Sequence, residues 1–350
     1  MKVGIRLVSL LIAVMLLAVG CSSAKLSPQD ALQQATAKTM GASSYAMTAT
    51  VKINEFTMDD SLASSDELGI AAGVAAIIKD ATINVKAVYE KDPARTDMNL
   101  EVVLPGFMNM KLDMPIIVAD EKIYFKLPQI PMLPIPQEAA DKFILLDAKE
   151  LAKQEGVEVP ELDMAAQQKF AQDLTNATLK HFDEKTYFTQ PKASEAGLPE
   201  GVKADQVVKF AITEANYEQT ISTVIDKVLP EVMDLIANNE AYLEIFEVEK
   251  ADVEDAKQKL TESKEEIRTF FKDNLKVKQL DHTGAIKGGN LVYQETTMSV
   301  EVTEPEASDK MSLGMTVAMN YSDIGQTPKF ESEIPTDVIS FEEFLQLMEF

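Results

Sequence analysis

The sequence predicts an α+β fold in which helices cover one face of an antiparallel sheet. Two observations lead to this prediction. Apolar and polar residues alternate over many short segments, which is the period of a half-buried strand. In the middle of the chain, apolar residues recur instead at helical spacing, and these stretches supply a cover for the sheet. With 350 residues, 46% of them hydrophobic, the chain is long enough to bury a large core.

The first predicted element is a helix from Ser27 to about Met40. Ser27 is a good N-cap residue, Pro28 suits the first turn, and Asp30 complements the positive end of the helix. Alternation then predicts five consecutive strands joined by short turns, and such a run indicates an antiparallel meander. The strands are centred on Tyr45–Ile53, Ala81–Tyr89, Met98–Val102, Met108–Met114 and Ile123–Leu127.

Helical spacing predicts the covering helices in the second half of the chain. They are expected over Met164–Phe182, over Tyr217–Ile236 with a bend at Pro230, and over Ala251–Lys272. Strands return around a turn at 287–290, with alternation over Met298–Val302 and Met311–Met319. Ser340 and Glu343 form a capping box that opens a short last helix.

The N-terminus has the features of a secretory signal. Lys2 and Arg6 precede an apolar run, Leu7–Val19, that is short for a bilayer span, and small residues lead to Cys21, the single cysteine. The segment resembles the lipobox of bacterial lipoproteins, in which the cysteine carries a diacylglyceryl group and further acyl chains such as palmitate. We therefore expect a signal peptide over 1–20, lipidation at Cys21 within a tether over 21–26, and one α+β domain over 27–350, built as one lobe or as two. The protein would lie on the extracytoplasmic face of the cell membrane, held there by its lipid anchor.

Charge and composition exclude several function classes. A formal net charge of −24 makes nucleic acid an improbable partner. A single cysteine excludes an internal disulfide. Only His181 and His282 are available as histidines, and no nucleophile elbow, zinc-protease helix, Walker loop or dinucleotide turn is present. We expect no catalytic residues, no metal and no cofactor, and therefore no enzyme.

Methionine is the most informative residue type after Cys21. Eight methionines are predicted to point to the covered side of the sheet: Met98, Met108, Met110, Met114, Met298, Met311, Met315 and Met319. Thioethers adapt to irregular shapes, so these residues could line an apolar ligand pocket, or they could form an ordinary core. The apolar stretch Leu68–Ile78 could be a lid over that pocket or a packed helix.

The order of elements resembles the LolA-like bacterial lipoproteins, the group that includes LolA, LppX and LprG. The resemblance depends on Glu90–Arg95, where Pro93 and Arg95 match a Pro-x-Arg step, and on Asp120 in the turn before an aromatic strand. It implies a strongly curved antiparallel sheet, an incomplete barrel, with helices packed on its concave face around a cavity for acyl chains. The Leu68–Ile78 stretch and the long helical middle make this chain larger than the compact carriers, and closer to LolA-like lipoproteins of Gram-positive envelopes.

These observations lead to two functional hypotheses. The first is an anchored lipoprotein that binds or carries a hydrophobic, lipid-like ligand. The alternative is a non-enzymatic envelope interaction module with a solid core and an acidic surface. The sequence does not identify a protein partner.

Overall fold

The computed structural model describes residues 26–59, 81–105, 110–128, 135–136, 138–140, 142–147, 149–150, 164–304 and 309–348. Over these residues the fold is α+β, with a large sheet that is mostly antiparallel. The strands are β1 (Ser44–Met58), β2 (Thr82–Lys91), β3 (Ala94–Leu104), β4 (Met110–Ala119), β5 (Lys122–Phe125), β6 (Phe143–Asp147), β7 (Phe188–Thr189), β8 (Gln206–Ile212), β9 (Leu275–Lys287), β10 (Asn290–Thr303), β11 (Lys310–Ser322) and β12 (Val338–Ser340).

The helices lie mainly between β6 and β9 along the chain. They are α1 (Pro28–Met40), α2 (Met164–Leu179), α3 (Glu184–Tyr187), α4 (Tyr217–Thr223), α5 (Leu229–Ala237), α6 (Glu240–Phe246), α7 (Lys250–Glu262), α8 (Lys264–Asn274) and α9 (Phe341–Leu347). A π-helical turn at Val224–Val228 joins α4 to α5, and a short 3₁₀ turn covers Ala193–Glu195.

The hydrogen-bonded strand order is β12-β6-β5-β4-β3-β2-β1-β11-β10-β9-β8-β7. The predicted meander is present, because β1 to β5 are neighbours in chain order and their pairs are antiparallel. The short β12 runs parallel to β6, so the sheet is mixed. The two end strands in this order, β12 and β7, are not paired with each other in the described part of the chain.

Contacts divide the chain into two compact units. The described part of the first unit covers 26–41, 54–59, 164–304 and 309–318, and that of the second covers 42–53, the described residues within 81–150, and 319–348. In the first unit, α1 packs on β8, β9 and β10, α3 packs on β7 and β8, and α8 packs on β9. In the second unit, α9 packs on β6 and β12.

The predicted helix ends at both termini are confirmed. The Ser27 hydroxyl accepts a hydrogen bond from the Asp30 backbone N–H at 3.1 Å, and α1 ends at Met40. At the other terminus, Ser340 and Glu343 form the reciprocal capping box that opens α9. These signals depend only on residues close in sequence, which is why the sequence alone could provide them.

The predicted helix over Ala251–Lys272 is wrong as a single element, because the structure divides it at Ser263. Ser263 ends α7 and stands as the N-cap of α8. Serine has a low preference for helix interiors, and the Ser263 side chain makes no capping hydrogen bond here. In the helix before it, the π turn at Val224–Val228 falls just ahead of Pro230, whose missing N–H interrupts the regular pattern.

Candidate apolar ligand-binding face

The candidate site is one face of β1 to β5 in the second unit. The register places Met98 opposite Ala87 on one side and Ile116 on the other. Leu100 lies opposite Met114, two residues further along. Because successive side chains in a strand point to opposite faces, these residues share one face of the sheet.

The same register assigns a continuous set of apolar side chains to this face. They are Met47, Ala49, Val51, Ile53, Ile83, Val85, Ala87, Met98, Leu100, Val102, Leu104, Met110, Leu112, Met114, Ile116, Val118, Ile123 and Phe125. We call this set the apolar face. Ala87 and Leu104 are buried, whereas Met98, Leu100 and Met114 are only half-buried. No residue of the set is charged, so the surface is suited to an apolar contact.

The opposite face is polar and hydrogen-bonded from β1 to the start of β4, whereas Ile117, Ala119 and Tyr124 form a buried apolar cluster on it at the β4–β5 end. The Thr50 hydroxyl donates to Asn84 Oδ1 at 2.9 Å, and Asn84 Nδ2 donates to Glu101 Oε1 at 3.0 Å. Lys111 Nζ lies 2.6 Å from Glu101 Oε2. The hydrogen bond from Lys111, and then that from Asn84, lowers the pKa of Glu101. This chain across β1 to β4 fixes the register, since a slip of one residue would bring its polar groups to the apolar side.

Hydroxyl groups mark one end of the apolar face. Tyr45, Tyr89 and Thr96 lie in register on β1, β2 and β3. The rings of Tyr45 and Tyr89 are 5.0 Å apart, and Tyr321 contacts Tyr45 edge-on at 5.9 Å. Burial, and secondarily the neighbouring Tyr89, raises the pKa of Tyr45 to about 12. The sequence predicts a strand at Tyr45 and does not assign this residue to a site, although the alternation that includes Tyr45 and Tyr89 is a signal for their grouping.

The predicted methionines are distributed over both units. Met98, Met110 and Met114 lie on the apolar face, and Met319 belongs with them because Tyr321, two residues on, donates to its Sδ at 3.5 Å and contacts Tyr45. In the first unit, Met298 is only 3% exposed, while Met311 and Met315 are half-buried. Met108, Cys21 and the stretch 68–78 lie outside the described residues.

Where α4 and α8 cover it, the described core of the first unit contains only a small cavity. A cavity of about 20 Å³ lies under α4 and α8, lined by apolar side chains that include Ile212, Val224 and Phe271. That volume holds about one water molecule, whereas drug-sized ligands occupy roughly 300–1,000 Å³. A groove of about 330 Å³ lies between α5 and α7, but Lys257 and Asp234 form an ion pair across it.

The two histidines lie in different environments. His181 Nε2 is 2.6 Å from Glu231 Oε2, and Lys180 pairs with the other oxygen of that carboxylate. His282 is 2% exposed, and its Nδ1 lies 2.8 Å from the Thr296 hydroxyl. Its Nε2 is buried without a hydrogen-bond partner among the described residues, and burial lowers its pKa to about 4.

Within the described residues there is neither a metal-ligand cluster nor a membrane-spanning helix. No three His, Cys, Asp or Glu side chains in that part of the chain are grouped so as to hold a metal ion. None of the helices described there has the length and apolar character needed to cross a membrane. No protein-family model matches the chain, and none of the curated proteins is significantly similar to it.

Proposed function

We propose that this chain binds or carries a hydrophobic, lipid-like ligand on the apolar face, without enzymatic activity. The observation that supports the proposal is a continuous set of apolar side chains, among them Met98, Leu100 and Met114, that is only half-buried in the described structure. Burying apolar area contributes roughly 25 cal/mol per Å², so a ligand that covered these side chains would gain free energy from each of them. The flexible thioethers would adapt to chains of different shape.

The proposal includes the anchor and the finer form of the fold. Lipidation at Cys21 would hold the protein on the extracytoplasmic face of the cell membrane, where acyl chains are available. A strongly curved sheet, an incomplete barrel of the LolA-like type with helices on its concave face, would enclose such a ligand better than a flat one. The sheet order, which leaves β12 and β7 unpaired with each other in the described residues, is compatible with this arrangement.

The rival function is an envelope interaction module with a solid core. The cavity of about 20 Å³ in the first unit favours it, because a core packed this closely has no room for a lipid there. The two functions differ in where they place the ligand. A carrier requires the apolar face of the second unit to be occupied, and an interaction module requires no apolar ligand at all.

The experiment pairs native mass spectrometry with two matched variants. Delipidated full chain is incubated with a fluorescent fatty acid, and uptake is measured for the parent, Met114→Glu and Thr48→Glu. Both variants add one negative charge to the same sheet, the first on the apolar face and the second on the exposed polar face opposite Lys86. We expect Met114→Glu to weaken uptake at least tenfold, because the ligand would have to bury an unpaired carboxylate.

Thr48→Glu should bind as the parent protein does. Circular dichroism spectra and melting curves of the variants show whether each is folded. A clean apo mass and no uptake by the parent protein would contradict the carrier function and leave the interaction module.

A further inference from the structure

The polar groups at one end of the apolar face are hydroxyls, which can donate hydrogen bonds to a ligand. Tyr89 is 8% exposed, yet its hydroxyl has no hydrogen-bond partner in the described part of the chain, and neither has that of Tyr45 or Thr96. The Tyr45 hydroxyl is protonated at physiological pH, as tyrosine hydroxyls with a pKa near 10 or higher are, and burial raises its pKa to about 12. The end row therefore holds neutral hydroxyls that reach solvent and are available to donate to a ligand.

A cation stands next to this row. Lys91 is the last residue of β2 and is two residues beyond Tyr89, so it lies on the same face of the sheet. It is exposed, and its side chain makes no ion pair with a described residue. Glu90, its neighbour in sequence, points to the opposite face and is in register with Arg95 there. The end of the apolar face thus combines hydroxyl donors with one positive charge.

The length of the face suits an extended chain. From Thr96 to Leu104, β3 covers about 26 Å at roughly 3.3 Å per residue. One leaflet of a bilayer is about 15 Å of hydrocarbon, half of the roughly 30 Å core. An acyl chain taken from a membrane would therefore fit along the strands, with its first atoms at the tyrosines and its tail towards Met110.

We propose that the apolar face selects amphiphiles with one anionic headgroup, a carboxylate or a phosphate, held by the hydroxyls of Tyr45 and Tyr89 and by Lys91. This inference rests on the proposed function and adds an orientation and a headgroup class to it. An uncharged ester would accept hydrogen bonds but would gain nothing from Lys91. Hydrogen bonds to a charged acceptor are stronger than those to a neutral one, so the anion is preferred.

The test compares two ligands that have the same acyl chain and differ in the headgroup. Nile red, a neutral dye, is bound to the full chain and displaced by oleate or by methyl oleate at pH 8. We expect oleate to bind about tenfold more tightly than methyl oleate. Lys91→Ala should remove most of that preference. The double variant Tyr45→Phe/Tyr89→Phe should weaken oleate about tenfold and methyl oleate less, because hydrogen bonds to a charged acceptor are stronger than those to a neutral one. Oleyl phosphate in place of oleate compares the two anionic headgroups.

Matched controls lie on the opposite face of the same strands. Lys86→Ala removes a lysine from the polar face of β2, and Tyr124→Phe removes a hydroxyl from the far side of β5, where Tyr124 packs in a buried cluster with Ile117 and Ala119. Both should bind as the parent protein does. If the tyrosine double variant does not fold, the nearly isosteric change Thr96→Val tests the hydroxyl row instead. It should weaken oleate binding.

The outcomes separate the two proposals. Equal affinities for oleate and methyl oleate, or a preference that survives Lys91→Ala, would overturn the headgroup inference and leave the carrier function intact. If neither oleate nor methyl oleate displaces Nile red or binds to the protein, the carrier function itself is contradicted.

Discussion

The strands β8, β9 and β10 of the first unit and the strands β2, β3 and β4 of the second carry similar alternating apolar residues but differ in what covers them. In the first unit, Leu280 and Met298 lie opposite each other and are 1% and 3% exposed. In the second unit, the corresponding pair of Leu100 and Met114 is only half-buried. Helices α1 and α8 pack on the first set of strands.

This difference teaches that a methionine-bearing alternation does not by itself distinguish a core from a binding surface. Met298 fills space in a packed interior, as expected if the methionines form an ordinary core. Met98 and Met114 present their thioethers on a surface that a ligand could cover. The three predictions below test whether the two regions differ energetically as well as in burial.

The largest expected effect comes from truncating the paired leucines. Leu280→Ala should lower the free energy of unfolding by about 2–5 kcal/mol, because it leaves a cavity in a closely packed core. Leu100→Ala should cost clearly less, since its side chain is already partly in water. Urea unfolding of both variants measures the difference. Equal losses would mean that the apolar face is as tightly packed as the helix-covered core.

The next effect is the pH dependence that His282 gives to the helix-covered core. Its folded-state pKa is about 4, whereas an unperturbed histidine has a pKa near 6.5. The unfolded chain therefore takes up a proton as the pH falls below 6.5, while the folded chain stays neutral until about pH 4, and stability is lost across that window.

Between pH 7 and pH 4, the protein should lose about 3 kcal/mol more than a His282→Gln variant does. Urea unfolding at the two pH values provides the comparison. His181→Gln serves as the control, because it leaves His282 in place and should keep the full loss. An identical loss in the parent and in His282→Gln would show that the buried imidazole does not carry this pH dependence.

The smallest expected loss of stability comes from removing the N-cap of α9, the helix that packs on β6 and β12 in the second unit. Ser340→Ala removes the side-chain oxygen that accepts from the Glu343 N–H, and should cost about 1 kcal/mol. The buried Phe344 and Ile339 belong to the cluster beside β6, so the loss should be visible as local opening there. Hydrogen exchange of α9 amides would show it. Unchanged protection of α9 in the variant would argue that packing alone holds this helix.

Local signals in the sequence predicted much of the fold. The caps at Ser27 and Ser340, the turn with Gly288 and Gly289 at positive φ, and the five-strand meander all depend on residues near one another in sequence. The strand β8 was not predicted, although Val207, Val208 and Phe210 have strand propensity. The parallel pairing of β12 with β6 was also missed, because it joins segments far apart in the chain.

The candidate site could be predicted only in part. Alternation assigned Met98, Met110 and Met114 to one face, and the register of the structure places them there. That Met298 is fully buried while Met98 and Met114 are only half-buried could not be predicted from the sequence, since the difference depends on helices from distant segments. Lipidation at Cys21 and the role of Leu68–Ile78 lie outside the described residues and stay predictions.

Photo-crosslinking tests the central claim most directly. A fatty acid with a diazirine in its tail is bound to the full chain and irradiated, and the labelled peptides are identified by mass spectrometry. The proposed function predicts adducts on β3 and β4, within 94–104 and 110–119, and their loss in Met114→Glu but not in Thr48→Glu. Adducts confined to the helices over 217–237, or spread evenly over the surface, would contradict it.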